Sequence, residues 1–88
     1  MGLKQLVLDG TAHEIISELS LVASKSTMIQ NKSAGRIVVY PSDTQPTVGE
    51  EMNLGFFVKS GEIITIPPNA ASKCYISGNV GVVAILNY

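Results

Sequence analysis

Apolar and polar positions alternate with period two through most of this chain, a spacing that predicts strands rather than helices. The pattern is clearest over Met28-Ile29-Gln30-Asn31-Lys32-Ser33-Ala34-Gly35-Arg36-Ile37-Val38-Val39-Tyr40-Pro41. That stretch reads as strand, tight polar turn, strand. Before the turn, Met28 and Gln30 point one way, and Ile29 and Asn31 the other. After it, Ile37 and Val39 share one face, and Val38 and Tyr40 the opposite one. The turn is small and polar, and Gly35 is placed to supply the positive φ of a bulged hairpin. The two arms are therefore expected to pair with each other.

Upstream, Leu3 to Leu8 reads as a strand with Leu6 and Leu8 on one face and Val7 on the other. Asp9-Gly10 is a hairpin-turn signal, and Thr11 to Ile16 is expected to return as a strand. A helix over His13 to Ser24 is the rival, since Ile15, Ile16, Leu19 and Val22 recur at helical spacing. Ser17, Ser20 and Ser24 weaken that helix, and the strand is preferred. Ser17 to Ser20 connects, and Leu21-Val22-Ala23 is either a short strand or part of a crossing loop. Pro41 to Asn53 shows no regular pattern. Its prolines exclude a central strand, so it is either a functional loop or a crossover between sheets.

Beyond it, Leu54 to Val58 carries the only two Phe residues, Phe56 and Phe57, one of which is expected to face the core. Lys59-Ser60-Gly61 turns the chain. Glu62 to Ile66 is a strand with Ile64 and Ile66 on one face and Ile63 and Thr65 on the other. Pro67 to Ser72 ends it. Lys73 to Ser77 is a strand with Cys74 and Ile76 opposite Tyr75, and Gly78-Asn79 is a hairpin-type turn. Val80 to Leu86 is apolar on both faces, which places it centrally in a sheet or beneath a partner. Seven or eight short strands at this spacing define the expected fold class: all-β, a small antiparallel β-sandwich or jelly-roll-like domain. Residues 1–88 form one domain, with residues 1–10 either an edge strand or an N-terminal arm.

Composition narrows the function classes. Only 15% of the 88 residues are charged and the net charge is −1. Without a Lys/Arg cluster, no nucleic-acid partner is expected. The longest apolar stretch is too short to span a bilayer, the run Leu6-Val7-Leu8 stops at Asp9 before it could form a signal peptide, and the start lacks the Ser or Thr of a myristoylation signal. A low-charge surface rich in Ser, Thr and Asn suits a protein that sits in an assembly.

No catalytic, cofactor or metal motif is present. His13 is the only histidine; with Glu14 and Glu18 nearby it forms neither a metal set nor an acid/base pair, and a surface or half-buried strand position is expected. Cys74 reads as a small buried hydrophobe, not a nucleophile. Glu50 and Glu51 point apart in an extended segment, and with Asp43 they lack the ordered spacing of a calcium loop. Ser17, Ser20, Ser24 and Ser26 form no nucleophile elbow. The stronger candidates are interfacial: Leu3, Leu6 and Leu8, as an arm able to add to a neighbour's sheet edge, and Phe56 and Phe57 as hydrophobic anchors.

A set of short motifs carries a resemblance: Met28-Ile29-Gln30-Asn31, then Arg36-Ile37-Val38-Val39-Tyr40, then Ser60-Gly61-Glu62-Ile63-Ile64-Thr65-Ile66-Pro67, then Lys73-Cys74-Tyr75-Ile76-Ser77-Gly78, and the closing apolar strand to Tyr88. From Ile29 onward, about two thirds of the chain resembles small bacteriophage β-sandwich structural proteins. Pro41 stands where members often have Gly, and the loop Ser42 to Asn53 is longer. The resemblance implies a virion component without enzymatic activity: a capsid decoration (cement) protein that stabilises the head by bridging capsomers, or a tail- or fibre-associated protein. It implies the major capsid protein or other virion proteins as partners, self-association as a homotrimer, and the capsid surface or the tail as location. From a different class, a carbohydrate-binding β-sandwich is the weaker alternative, because the chain has no Trp and its three Tyr residues lie in or beside expected strands.

Overall fold

The computed structural model describes residues 3–44 and 55–88. Glu50, Glu51 and Leu54, singled out above, lie outside the described residues, as does Pro46 of the irregular stretch. Among the described residues, eight strands and one short helix follow in order: β1 (Leu3–Leu8), β2 (Ala12–Glu14), α1 (Ile15–Glu18), β3 (Thr27–Asn31), β4 (Ile37–Ser42), β5 (Phe56–Val58), β6 (Ile63–Ile66), β7 (Lys73–Ser77) and β8 (Gly81–Asn87). They make two four-stranded antiparallel sheets, β1-β8-β3-β6 and β2-β7-β4-β5. Two interleaved sheets in this order constitute a jelly roll. The all-β sandwich expected from the alternation is the fold observed.

The core lies between the sheets and is built from the inward half of each alternating strand. Leu6, Leu8, Ile29, Ile66, Val83 and Ile85 come from the first sheet. Ile37, Val39, Val58, Cys74 and Ile76 come from the second, and Ile15 of α1 joins them. The face assignments made for β1, β3, β4 and β6 all hold. β8 is apolar on both faces because it is central, paired with β1 on one side and β3 on the other.

The pairing differs from the expectation at the turns. β3 and β4 are not a hairpin: β3 pairs with β6 and β8, and β4 with β5 and β7. Asp9-Gly10 and Gly78-Asn79 likewise carry the chain from one sheet to the other. Among the described strands, only β4 and β5 are both successive and paired. Residues 45–54 of the stretch read as loop or crossover lie outside the described residues; the strands on either side of them, β4 and β5, belong to one sheet. Period-two alternation sets which face a residue takes, but not which strand its backbone bonds.

The corner between β3 and β4 shows what replaces the hairpin. Asn31 is fully buried. Its Nδ2 donates to Gly35 O at 2.7 Å and Val58 O at 2.8 Å. Its Oδ1 accepts from Ser33 N at 2.9 Å and Ser33 Oγ at 2.6 Å. The Asn31 backbone bonds the β5–β6 turn through Glu62 O and Gly61 N. One amide thus ties three chain segments together where the two sheets meet. Gly35 is not in the positive-φ region; Gly10, Gly61 and Gly81 are. Gly78 sits tightly: a Cβ there would lie 2.8 Å from Leu8 Cδ1 and 3.0 Å from Ile37 Cγ2, so those core methyls would have to shift to admit it.

Two further strand boundaries move. β2 ends at Glu14 rather than Ile16, because the Glu14 carboxylate accepts from Ile16 N at 2.8 Å and Ser17 N at 3.0 Å and so caps α1. These are donors that the first helical turn leaves without partners. The rival helix exists only as this single turn, which buries Ile15. Leu21 to Ala23 belongs to the loop, held by Asn87, whose Oδ1 accepts from Val22 N and whose Nδ2 donates to Val22 O. Pro41 and Ser42, expected to be irregular, extend β4 against Cys74 and Lys73 of β7. The described pairing with β5 ends at Val39, so Pro41 interrupts no described ladder on that side.

Candidate functional site

The registers of the first sheet place its outward residues in rows. One row runs Leu3, Leu86, Met28 and Thr65 across β1, β8, β3 and β6. The next runs Gln5, Ala84, Gln30 and Ile63. The third is Val7 and Val82, flanked by Lys32, whose N–H donates to Val82 O. Among the described residues, the rows of this face carry one cation, Lys32, and no carboxylate. Leu3 and Val7 are each 68% exposed and Ile63 is 54% exposed. A dip of about 140 Å³ on this face is lined by Ala84, Leu3, Met28, Gln30, Lys32, Ile63 and Leu86. Scattered exposed apolar residues are ordinary, whereas a contiguous apolar sheet face points to a docking surface.

The expected interface residues divide. Leu3 lies on this face. Leu6 and Leu8 do not; they are 3% exposed and belong to the chain's own core, because β1 pairs with β8 of the same chain as an edge strand and is not an extended arm. Phe56 and Phe57 are both exposed, so neither fills the core. β5 is a three-residue edge strand, and only Val58 reaches the interior. Phe56 has the inward parity of Val58 but sits at the rim of the sandwich. There it lines an apolar groove of about 400 Å³ with Pro41, Ile64, Ile66, Pro67 and Ala70. Phe57 points outward on the second sheet beneath the Arg36 guanidinium, 4.3 Å from its ring centre.

The remaining chemistry is internal bracing. His13 Nε2 lies 2.8 Å from Asp9 Oδ1, and Nδ1 lies 2.9 Å from Glu18 Oε1. Both ring nitrogens face carboxylates, so the protonated ring fits best, and the bond to Glu18, aided by Asp9, raises its pKa. Asp9 is held down at about 2 by the Thr11 hydroxyl and then by His13. The sequence placed His13 in a half-buried strand position, as found, but did not show that the β1–β2 turn and α1 would bring two carboxylates onto the ring. Cys74 is buried, and burial together with the nearby Glu14 charge pushes its thiol up to about 12. Asp43 Oδ1 accepts from Ser72 N at 2.8 Å and Ser72 Oγ at 3.0 Å, which ties the end of β4 to the β6–β7 loop and lowers the carboxyl pKa. Tyr75 is buried, Tyr40 half-buried and Tyr88 exposed, so the three rings form no shared platform.

Among the described residues, no group of three or more His, Cys, Asp or Glu side chains is placed to hold a metal ion. Among the described residues, no buried side-chain polar atom lacks a partner. No described helix is long and apolar enough to cross a membrane. Comparison with known proteins finds no matching family model, no matching curated protein and no matching solved structure.

The face was legible strand by strand but not as a surface. The sequence separates Val82, Ala84 and Leu86 from Val83 and Ile85, and Ile63 from Ile64. It does not say that β1, β8, β3 and β6 lie side by side. The available signal was the failure of alternation: strands with apolar residues on both faces need two covers.

Proposed function

We propose that this chain is a structural protein of a bacteriophage virion, a capsid decoration (cement) protein that acts by assembly and carries out no chemistry. The observation that carries the reading is the apolar, nearly uncharged outward face of the first sheet. The jelly-roll strand order adds support by analogy, since capsid proteins use it repeatedly, as do lectins and cupins. Low overall charge fits close packing beside other copies and beside the major capsid protein.

Size sets the mode of action. Four strands at about 4.8 Å spacing and about five residues at 3.4 Å rise give a footprint on the order of 300 Å². A stable one-to-one pair needs about 800 Å² per partner. One contact through this face is therefore weak, and strength comes from many copies on a symmetric shell. A protein that binds the closed shell and not its separated capsomers stabilises the shell by mass action.

The test is a heating experiment on heads assembled with and without the chain, with DNA release as the readout. Heads carrying the chain should open at a higher temperature, and adding it back to bare heads should restore the difference. Identical opening temperatures would refute the cement role.

A further inference from the structure

We propose that His13 is a proton-operated latch that holds the β1–β2 turn to α1 and, on losing its proton, releases the turn while keeping the helix. β1 and β2 are edge strands of the two sheets, joined by the turn at Asp9-Gly10-Thr11. Directly after β2, α1 sends Ile15 into the core. His13, half-buried on β2, reaches both: Nε2 lies 2.8 Å from Asp9 Oδ1, and Nδ1 lies 2.9 Å from Glu18 Oε1. The imidazolium carries an N–H on each nitrogen and donates to both carboxylates. Neutral imidazole carries one, so a carboxylate is then left facing a bare lone pair.

The two contacts are not equivalent. Asp9 Oδ1 also accepts from Thr11 N at 3.1 Å and Thr11 Oγ1 at 2.6 Å, so Asp9 stays partnered without the ring. Among the described residues, the Glu18 carboxylate has His13 as its one partner. The Thr11 hydroxyl lies 3.4 Å from Nε2 and can turn to donate to it once that nitrogen is bare. The proton that leaves is therefore the one on Nε2, and it goes to solvent. Nδ1–H stays on Glu18, Nε2 accepts from Thr11, and the exposed Asp9 carboxylate turns to water. The other charged groups nearby are engaged elsewhere. Glu14, beside His13 on β2, accepts from the N–H groups of Ile16, Ser17 and Cys74. β7 sets the apolar Ile76 opposite His13, and the buried Cys74 thiol stays un-ionised. Lys4 of β1 donates to Leu19 O at the end of α1. The bond to Glu18 raises the His13 pKa most, burial opposes it and Asp9 adds to the rise. The latch is thus closed below about 6.5 and opens as pH rises through the higher folded value.

Nitrogen-15 NMR of the full chain, titrated from about pH 5 to about pH 9, tests this, and the ring signals belong to the single histidine. The ring midpoint should lie above about 6.5, with the neutral ring protonated on Nδ1 and bare on Nε2. Hydrogen-exchange protection, taken relative to unfolded-chain rates at each pH, should fall about threefold or more at the Gly10 and Thr11 amides across that midpoint, while the Leu19 amide keeps its protection. His13→Gln should remove the pH dependence at Gly10 and Thr11. Thr11→Val takes away the hydroxyl that the neutral ring needs and should raise the midpoint. The amide spectrum of each variant verifies folding. A midpoint at or below about 6.5 overturns the latch, as does a neutral ring protonated on Nε2. So does turn protection that changes by less than about threefold or falls equally at Leu19, a pH dependence that survives His13→Gln, or a midpoint that Thr11→Val leaves in place or lowers.

Discussion

Replacing Asn31 with Ala should destabilise this domain more than any other single truncation of a polar side chain. The amide is fully buried at the corner where the sheets meet, and it makes four side-chain hydrogen bonds. Truncation strips the Ser33 N–H and the Val58 carbonyl of their Asn31 partner, while Gly35 O keeps the Ser33 hydroxyl at 2.8 Å. Each buried group left unpaired costs about 1–3 kcal/mol, so two give about 2–6 kcal/mol, and about 3 kcal/mol is the working figure. A chain of this length holds about 5–10 kcal/mol in total. The melting temperature should therefore fall by about 12–24 °C. Urea unfolding measures the effect, with the slope unchanged so that the midpoint shift reads as stability. Ser33→Ala should cost about 1 kcal/mol, and the double variant should cost less than the sum because the two side chains share one network. If Asn31→Ala unfolds within about 0.5 kcal/mol of wild type, the corner is not held by this amide and the reasoning fails.

Three further outcomes are expected. His13 has a folded-state pKa raised by Glu18 and Asp9, so its contribution is fully present below about 6.5 and fades as pH rises through the higher folded value; His13→Gln should flatten that part of the stability profile measured by urea unfolding. Cys74, buried with its thiol pushed up to about 12, should resist a thiol-reactive chromogenic disulfide in the native state at pH 8 and react fully in denaturant; fast native labelling would contradict the core position. Gly78→Ala forces a methyl group against Leu8 and Ile37 and should cost about 1–3 kcal/mol, read from the thermal midpoint.

Much of the fold is written in local pattern, because burial on one face of a strand leaves a direct trace in residue type. Ile29 against Met28, Ile37 against Val38 and Leu6 against Val7 are all sorted correctly by alternation. Strand partnership leaves no such trace. Asn31 and Gly35 read as hairpin residues because small polar residues serve sharp reversals and sheet-to-sheet corners equally well. The helix at Ile15 hid behind β-branched residues, since its stability comes from the Glu14 cap and the burial of Ile15, not from propensity. Phe56 and Phe57 misled for a related reason: aromatic residues usually fill cores, but β5 lies at a sheet edge and delivers only Val58 to the interior. The candidate face needed the strand order β1-β8-β3-β6 before its rows could be assembled.

Quantitative mass spectrometry of purified particles, counting this chain against the major coat protein, tests the structural role most directly. The account predicts copy numbers near parity with the coat protein, as a shell-covering component requires. A handful of copies per particle would place the chain at the tail or a vertex and contradict the cement role, and absence from the particle would contradict the virion assignment altogether.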